Sequence, residues 1–264
     1  MIRDSTPGEL HIAPYLGTSY YAFNLRRGPF RDNVSLRQAL TMAIDRRAHL
    51  ASLLQFGQQS AFGFVPQGIW NYQPQTWAWK DWSDEQRRTE AQRLYAEAGY
   101  SAAKPLHLTL LFNSSTTIKQ LAIGIAAMWK DVLGVDTALI DEEYRVFLSS
   151  RKDADRSDIV RLGWTADFND ASNFLDTMRS GSPNNDAGYH REAYDALVDN
   201  AATTADAGAR RTLLQQAEAL MLADYPIIPL YVFSANHLVK PYVVGVVPNP
   251  LNRLHSRDLS VLPH

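Results

Sequence analysis

Apolar positions recur along this chain with two different periods, and the alternation lays out a series of strands and helices. Leu106–Phe112 (L-H-L-T-L-L-F) alternates with period two, the mark of a strand. The segment from Ser115 to Leu133 carries Leu121, Ile125, Met128 and Trp129 on one helical stripe, with Gly134 as its stop, and Val135–Ile140 reads as the next strand. This strand, helix, strand order predicts a right-handed crossover and an α/β sheet. Asp158–Trp164 reads as a further strand. Strands over 106–112, 135–140 and 157–164 are therefore expected to share one sheet, with helices over 115–133 and 209–222 against it.

The flanking segments are patterned less evenly. The first nineteen residues hold Pro7, Gly8, Pro14 and Gly17 with little period and read as a tail, before the aromatic-rich strand Tyr20–Leu25. Leu36, Ala39, Leu40 and Ala43 share a helical spacing, and Asp45 can open a second helix through Leu54 that Gly57 stops. Residues 57–82 have neither period but contain Trp70, Trp77, Trp79 and Trp82, which predicts an ordered loop held by aromatic anchors. Ser83 with Gln86 three positions on is a capping-box signal for a helix reaching Glu97 or Ala98, with Gly99 after it. Short helices are expected over Glu143–Arg151 and Ser172–Met178, a loop over Gly181–Gly188, and a helical hairpin over Arg191–Thr203 and Ala209–Leu222 capped near Asp206. Pro226–Phe233 is a strand-like run flanked by prolines, which suits a sheet edge or a crossover between lobes. Beyond it, Pro241, Pro248, Pro250 and Pro263 leave no helical pattern, so the end of the chain reads as a return segment packed on something else.

Composition narrows the function classes. The 264 residues are 45% hydrophobic and 20% charged, which argues against disorder and leaves room for one large or two modest domains. With 26 Lys and Arg against 28 Asp and Glu there is no basic excess, so neither a nucleic acid nor an anionic membrane is an expected partner. The chain has no cysteine, and its seven histidines show no i, i+4 pair, so no thiolate or helical zinc site is expected and each histidine reads as a surface or boundary residue. No apolar run reaches the ~20 residues of a membrane span, and no apolar leader follows Met1. Local signatures of a hydrolase elbow, a phosphate-binding loop and a dinucleotide-binding turn are absent.

One segment stands out chemically: R-L-G-W-T-A-D-F-N-D, Arg161–Asp170. It leaves a strand at a glycine and a large aromatic, so Arg161, Trp164 and Asp167 can be read as pointing into a crevice at the strand's end. There a carboxylate pairs with an ammonium group and an arginine with a carboxylate. The plainer reading is that Arg161 and Asp167 neutralise each other across a turn. Tyr144, Phe168 and Phe233 are open to the same choice between pocket and core.

The run Arg161–Phe174 (R-L-G-W-T-A-D-F-N-D-A-S-N-F), preceded by D-E-E-Y-R-V-F-L at 141–148, closely resembles the C-terminal half of extracytoplasmic oligopeptide-binding proteins of ABC importers. The matches Y-Y-A-F-N at 20–24, P-F-R-D at 29–32, L-R-Q-A-L at 36–40, A-I-D-R at 43–46, A-E-A-G-Y at 96–100, P-L-Y at 229–231 and L-V-K-P at 238–241 follow in the family's order, so the resemblance covers nearly the whole chain. It implies a periplasmic-binding-protein-like type II fold of class α/β, of which this chain would be the C-terminal lobe of a two-lobed receptor. It also implies a non-enzymatic, periplasmic or otherwise extracytoplasmic function without cofactor or metal, with short peptides and ABC-importer membrane subunits as partners. On this resemblance residues 1–19 are a tail and first hinge crossing near Ser19, 20–235 the peptide-binding lobe, and 236–264 a return segment lying on the other lobe, with the second crossing near Ala235.

Carried over position by position, Asp167 matches the aspartate that pairs with a peptide's α-ammonium. Arg161 and Arg151 match basic residues available to its carboxylate, and Gly163, Trp164 and Thr165 match the strand whose backbone pairs with the peptide. Tyr144 stands where the family often has tryptophan, Phe233 where tyrosine is common, and Ile118 where some members place a histidine, which leaves peptide length open. Relatives of this fold also bind nickel chelates, haem, opines or sugars, or serve as sensor domains. A hydrolase using Asp167 and Asp170 as its carboxylate pair is the remote alternative.

Overall fold

The computed structural model describes residues 8–48 and 56–263. Six strands, β1 (Leu10–Phe23), β2 (Gln59–Ser60), β3 (His107–Asn113), β4 (Asp136–Glu142), β5 (Ile159–Thr165) and β6 (Ile227–Leu238), form one sheet in the order β2-β6-β1-β5-β3-β4. β1 runs antiparallel to β5 and β6, while β3 is parallel to β4 and β5, so the three strands expected to share a sheet do so. A two-stranded ribbon of β7 (Val243–Val244) and β8 (Ser260–Val261) lies near the end of the chain.

The expected tail is corrected for the described residues from Leu10 on, because they are already strand. Pro14 and Gly17 hid it: the register between β1 and β6 shifts between Pro14 and Thr18, so the irregular residues fall where the ladder is interrupted. A second shift, between Ser19 and Tyr20, lies beside Pro229, which has no N–H to give to the ladder. Its carbonyl instead accepts from Arg46 Nε at 2.8 Å.

Helices α1 (Val34–Met42), α2 (Asp84–Glu97) and α3 (Thr116–Leu133) pack together beside the parallel strands. α2 opens with the foreseen capping box, Ser83 Oγ accepting from the Gln86 N–H at 3.2 Å and Gln86 Oε1 from the Ser83 N–H at 3.0 Å. α3 buries Leu121, Ile125 and Trp129, is joined to α1 by the Trp129 indole donating to the Leu40 carbonyl at 2.9 Å, and stops at Gly134 with φ 75°. The helix expected from Asp45 to Leu54 lies, beyond Ala48, outside the described residues. Downstream come α4 (Tyr144–Ser150), the short α5 (Ser172–Leu175), and the hairpin of α6 (Glu192–Thr203) and α7 (Ala207–Asp224). Contrary to expectation, α7 packs chiefly on α6 and α5 instead of lying along the sheet as α3 does.

The segment 57–82 is an ordered loop, but only two of its tryptophans anchor it. Trp77 and Trp79 are buried and stacked at 5.1 Å, and Trp77 also stacks on Tyr225 at 5.1 Å. Trp70 and Trp82 are exposed. The stronger tether is a carboxylate that sequence reading passed over. Glu218 of α7 is fully buried, and its Oε1 accepts from the Phe64 and Val65 N–H groups at 3.2 and 2.8 Å, its Oε2 from the Tyr72 hydroxyl and the Gln75 N–H at 2.7 and 2.9 Å. Gly63 is required alongside, since a Cβ there would come within 2.0 Å of the Gln75 carbonyl oxygen.

Burial pushes the Glu218 carboxyl up from its ordinary 4.5 to about 7, against the opposing pull of those four hydrogen bonds. Between these values the folded chain keeps a proton that the unfolded chain releases, so stability falls as pH rises through the window and levels off above it. At about 1.4 kcal/mol for each tenfold difference in proton affinity, the group accounts for roughly 3 kcal/mol. Glu218→Gln is expected to remove this part of the slope, the gap between wild-type and variant unfolding free energies changing by that amount from pH 4.5 to 8. Parallel denaturation profiles for the two proteins would show that Glu218 is ionised throughout.

Candidate functional site

Strand alternation sorts the predicted residues onto two faces. Arg161, Gly163 and Thr165 of β5 stand opposite Tyr21, Ser19 and Gly17 of β1 and share a face with them, whereas Trp164 points to the other side. The expectation that Arg161 and Trp164 leave the strand into one crevice is thus corrected: three positions along a strand reverse the face. Gly163 and Thr165 are exposed and Arg161 half-exposed. Phe233 of β6 lies across this face, and the two glycines make room for it. A Cβ on Gly17 would come within 2.4 Å of its ring and one on Gly163 within 3.1 Å.

Only the first two residues of β5, Ile159 and Val160, pair with β3. Arg161–Thr165 are paired with β1 on one side, and among the described residues no strand covers the other. This half of β5 therefore offers backbone N–H and C=O groups along an open edge.

At the end of that edge, Asn173 of α5 organises the turn. Its buried Oδ1 accepts from the Trp164 indole at 2.9 Å and from the Asp167 N–H at 3.2 Å. Trp164 is half-buried against the core, while Asp167 and Phe168 are exposed. The Asp167 carbonyl accepts from Arg253 Nη2 at 2.6 Å, so the return segment touches this lobe beside the candidate site. It does so again where the Leu16 N–H donates to the Pro250 carbonyl at 2.9 Å. The segment after Ala235 is thus attached to this lobe beside the candidate site.

Arg161 and Asp167 do not neutralise each other: Arg161 Nη1 meets the Asn113 side-chain amide oxygen at 3.3 Å, and no ion pair joins it to Asp167 among the described residues. Arg151, at the C-terminal end of α4, is instead tied to the buried Asp186 at 3.3 Å. Tyr144 is exposed on α4 and stacked on Phe147 at 6.5 Å, and Ile118 packs against the core from α3. Asp170 is gripped by Arg210 through two hydrogen bonds of 2.7 and 2.9 Å. Burial alone would raise its carboxyl, but the bonds from Arg210 and Ser172 outweigh it and hold it below the usual range. A carboxylate so occupied is not a general acid, which removes the partner that a hydrolase built on Asp167 and Asp170 would need. Sequence reading missed Asn173, Asp186 and Arg253. Asn173 lay inside the run R-L-G-W-T-A-D-F-N-D-A-S-N-F, but nothing local marked it as buried.

A mixed sheet with helices around it and an open strand edge flanked by an exposed aspartate and an arginine is the architecture of a solute-binding lobe. The model of the bacterial extracellular solute-binding proteins, family 5 (middle), matches residues 3–186, and the chain belongs to that family. It is 36% identical to the periplasmic oligopeptide-binding protein OppA of Escherichia coli (strain K12), across 100% of this chain and 48% of that protein. The solved structure of the Escherichia coli murein tripeptide binding protein MppA superposes with a TM-score of 0.93 at 34% identity, covering 100% of this chain and 52% of that one. Haemophilus influenzae OppA, solved in complex with the peptide RPPGFSPFR, gives a TM-score of 0.90 at 33% identity, covering 99% of this chain and 52% of that one. The chain spans about half the length of the curated relatives it matches.

Asn173→Ala leaves the Trp164 indole and the Asp167 amide without their shared acceptor. A stability loss of about 1–3 kcal/mol is expected. In hydrogen exchange the Trp164 indole should lose its protection while those of Trp77 and Trp129, bonded to the Leu222 and Leu40 carbonyls, keep theirs. Unchanged protection at Trp164 would mean that Asn173 does not hold the turn.

Proposed function

We propose that this chain forms a peptide-binding wall of an extracytoplasmic solute-binding protein that serves an ABC importer, capturing short peptides by backbone and termini without chemistry. The observation that carries the reading is the open edge of Arg161–Thr165, which an extended peptide can join as an added strand. Main-chain pairing is indifferent to side chains, and the small residues Gly163 and Thr165 leave room for varied ones. Asp167, exposed at one end of the edge, receives the peptide's α-ammonium, and Arg161 near the other receives its carboxylate. Phe233, on the same face, and the exposed Tyr144 supply apolar surface beside them, while Trp164 packs behind the edge and anchors the Asp167 turn through Asn173. The relatives named above are periplasmic oligopeptide- and murein tripeptide-binding proteins, one of them solved with a bound peptide, which supports the same ligand class and compartment here.

β1 and β6 continue as a two-stranded ribbon past the end of β5, from Ala13 opposite Ala235 to Leu10 opposite Leu238. This ribbon carries the hinge on our reading, a little outside the Ser19 position inferred from sequence. A wall that is open on one side leaves the ion pair at Asp167 in water, where it is worth little, and enclosure by a second wall strengthens it.

This chain alone is accordingly expected to bind trialanine with a dissociation constant in about the millimolar range, or roughly −4 kcal/mol. Asp167→Asn should weaken binding of trialanine about two- to fivefold and leave N-acetyl-trialanine unchanged, because only the former brings the ammonium partner. Chemical-shift titration of both peptides decides it: equal losses would place the α-ammonium elsewhere, and an absence of shifts along 161–167 with either peptide would sink the peptide reading.

A further inference from the structure

Away from the candidate wall, a cavity of about 290 Å³ opens between the turn after α1, the loop over 57–82 and the first turn of α2. Its charges do not balance. Arg46, Arg47, Lys80 and Arg87 line it against the carboxylates of Asp45 and Asp84. Arg87 is paired with Asp84 and also donates to the Met42 carbonyl, while Lys80 and Arg47 share Asp81 at 2.6 and 3.4 Å. Asp45 Oδ1 accepts from the Ala48 N–H at 3.1 Å. Arg46 is left over: among the described residues it has no ion pair, though it is only 1% exposed. Its Nε and Nη1 donate to the Pro229, Thr41 and Ile44 carbonyls, whereas its buried Nη2 has no acceptor among the described residues. Burial and then the neighbouring Arg87 lower its hold on the proton, which Tyr225 and Asp45 only partly offset. A buried guanidinium with a spare donor, beside a second cation in a wall of net positive charge, is a recognition element for an oxyanion.

We infer that this cavity is a binding site for a small oxyanion, inorganic phosphate or the carboxylate of an organic acid, with an oxygen accepting from Arg46 Nη2 and Arg87, Arg47 and Lys80 supplying the flanking positive charge. One oxygen meets both deficits, the missing acceptor and the missing negative charge. The guanidinium is held in place for it by three carbonyls and by the rings of Phe62, Trp77 and Trp79, about 5.5 Å away. Trp82, 42% exposed, and Arg47, with 61% of its side chain exposed, mark the entrance. A bound anion joins the turn after α1 to α2 and stabilises the fold in proportion to its occupancy, whatever ligand the wall at β5 takes.

The test follows the arginine Nε–H signals of this chain by NMR at pH 7 during titration with sodium phosphate and, separately, sodium acetate, each against sodium chloride at equal ionic strength. The Arg46 signal, protected by its bond to the Pro229 carbonyl, and that of Arg87 should shift and saturate with a dissociation constant in about the millimolar range, while the signal of the exposed Arg257 tracks ionic strength alone. Saturation with phosphate and not acetate assigns the site to inorganic phosphate, saturation with acetate and not phosphate to organic acids, and either upholds the inference. Arg47→Gln, at the exposed entrance, should weaken binding about threefold, and Arg47→Glu, which brings a competing carboxylate to the entrance, at least about tenfold, whereas Arg257→Gln changes nothing. An Arg46 signal that stays in place with both anions, or that moves equally with chloride, overturns the inference, and this reading of the unaltered chain stands whether or not a variant folds. An unchanged dissociation constant in Arg47→Glu overturns it as well, because the anion would then be bound elsewhere.

Discussion

The structure depends on the position of β1 between two antiparallel neighbours. From Thr18 to Ala22 its backbone is committed on both sides, to β5 and to β6, and its residues are buried from Leu16 to Phe23. Backbone groups so enclosed must be paired or the strand is lost, so the partners' registers are fixed with little tolerance. The candidate wall inherits this rigidity. Gly17 lies directly under Phe233, and Gly163 of β5 lies under the same ring. The surface offered to a ligand is thus set by glycines in a frame that cannot slide, while β5 beyond Val160, paired with β1 on one side, is left open on the other among the described residues because β3 does not follow it.

Buried charges do the complementary work of attaching irregular segments to the frame. Among the described residues Arg46 has no ion-pair partner: it donates to the Pro229, Thr41 and Ile44 carbonyls and lies about 5.5 Å from the ring centroids of Phe62, Trp77 and Trp79. Burial, with a smaller push from Arg87, lowers it to about 9. Ring faces and carbonyl dipoles compensate the cation without a counter-charge. Glu218, whose carboxyl keeps its proton up to about pH 7, ties down the loop in the same way, accepting from residues 64, 65, 72 and 75. Neither group faces the candidate wall, where the charges at Asp167 and Arg161 remain accessible. Charges that hold the fold are enclosed, and charges that could meet a ligand are left in water.

Much of this was legible in the sequence, for reasons particular residues make clear. The alternation at 106–112, the stripe through Leu121 and Trp129 and the Ser83–Gln86 box are local signals, and each element appeared where it was read. β1 was read short because Pro14 and Gly17 look like chain breaks; their tolerance comes from a register shift against β6, more than two hundred residues away. The face of Trp164 could have been counted from strand period alone, since it is odd-spaced from Arg161. Asp186, Asn173 and Glu218 could not, because a polar residue in a loop or helix shows its partners only when distant segments meet. The family resemblance placed Arg151 at the wall from its position in the motif, yet a motif carries no information about a counter-ion thirty-five positions downstream.

That last point bears on how such a lobe can diversify while keeping its fold. Backbone pairing along β5 is nearly independent of sequence, so it cannot by itself distinguish one peptide from another. On the reading proposed above, discrimination comes from the ends, where charge meets charge. A cation is withdrawn from that role most simply by placing a carboxylate behind it, on a loop already fixed by other bonds, which costs the sheet nothing. The Arg151–Asp186 pair is such an arrangement: it lies outside β5, disturbs no register, and leaves the strand edge as it is.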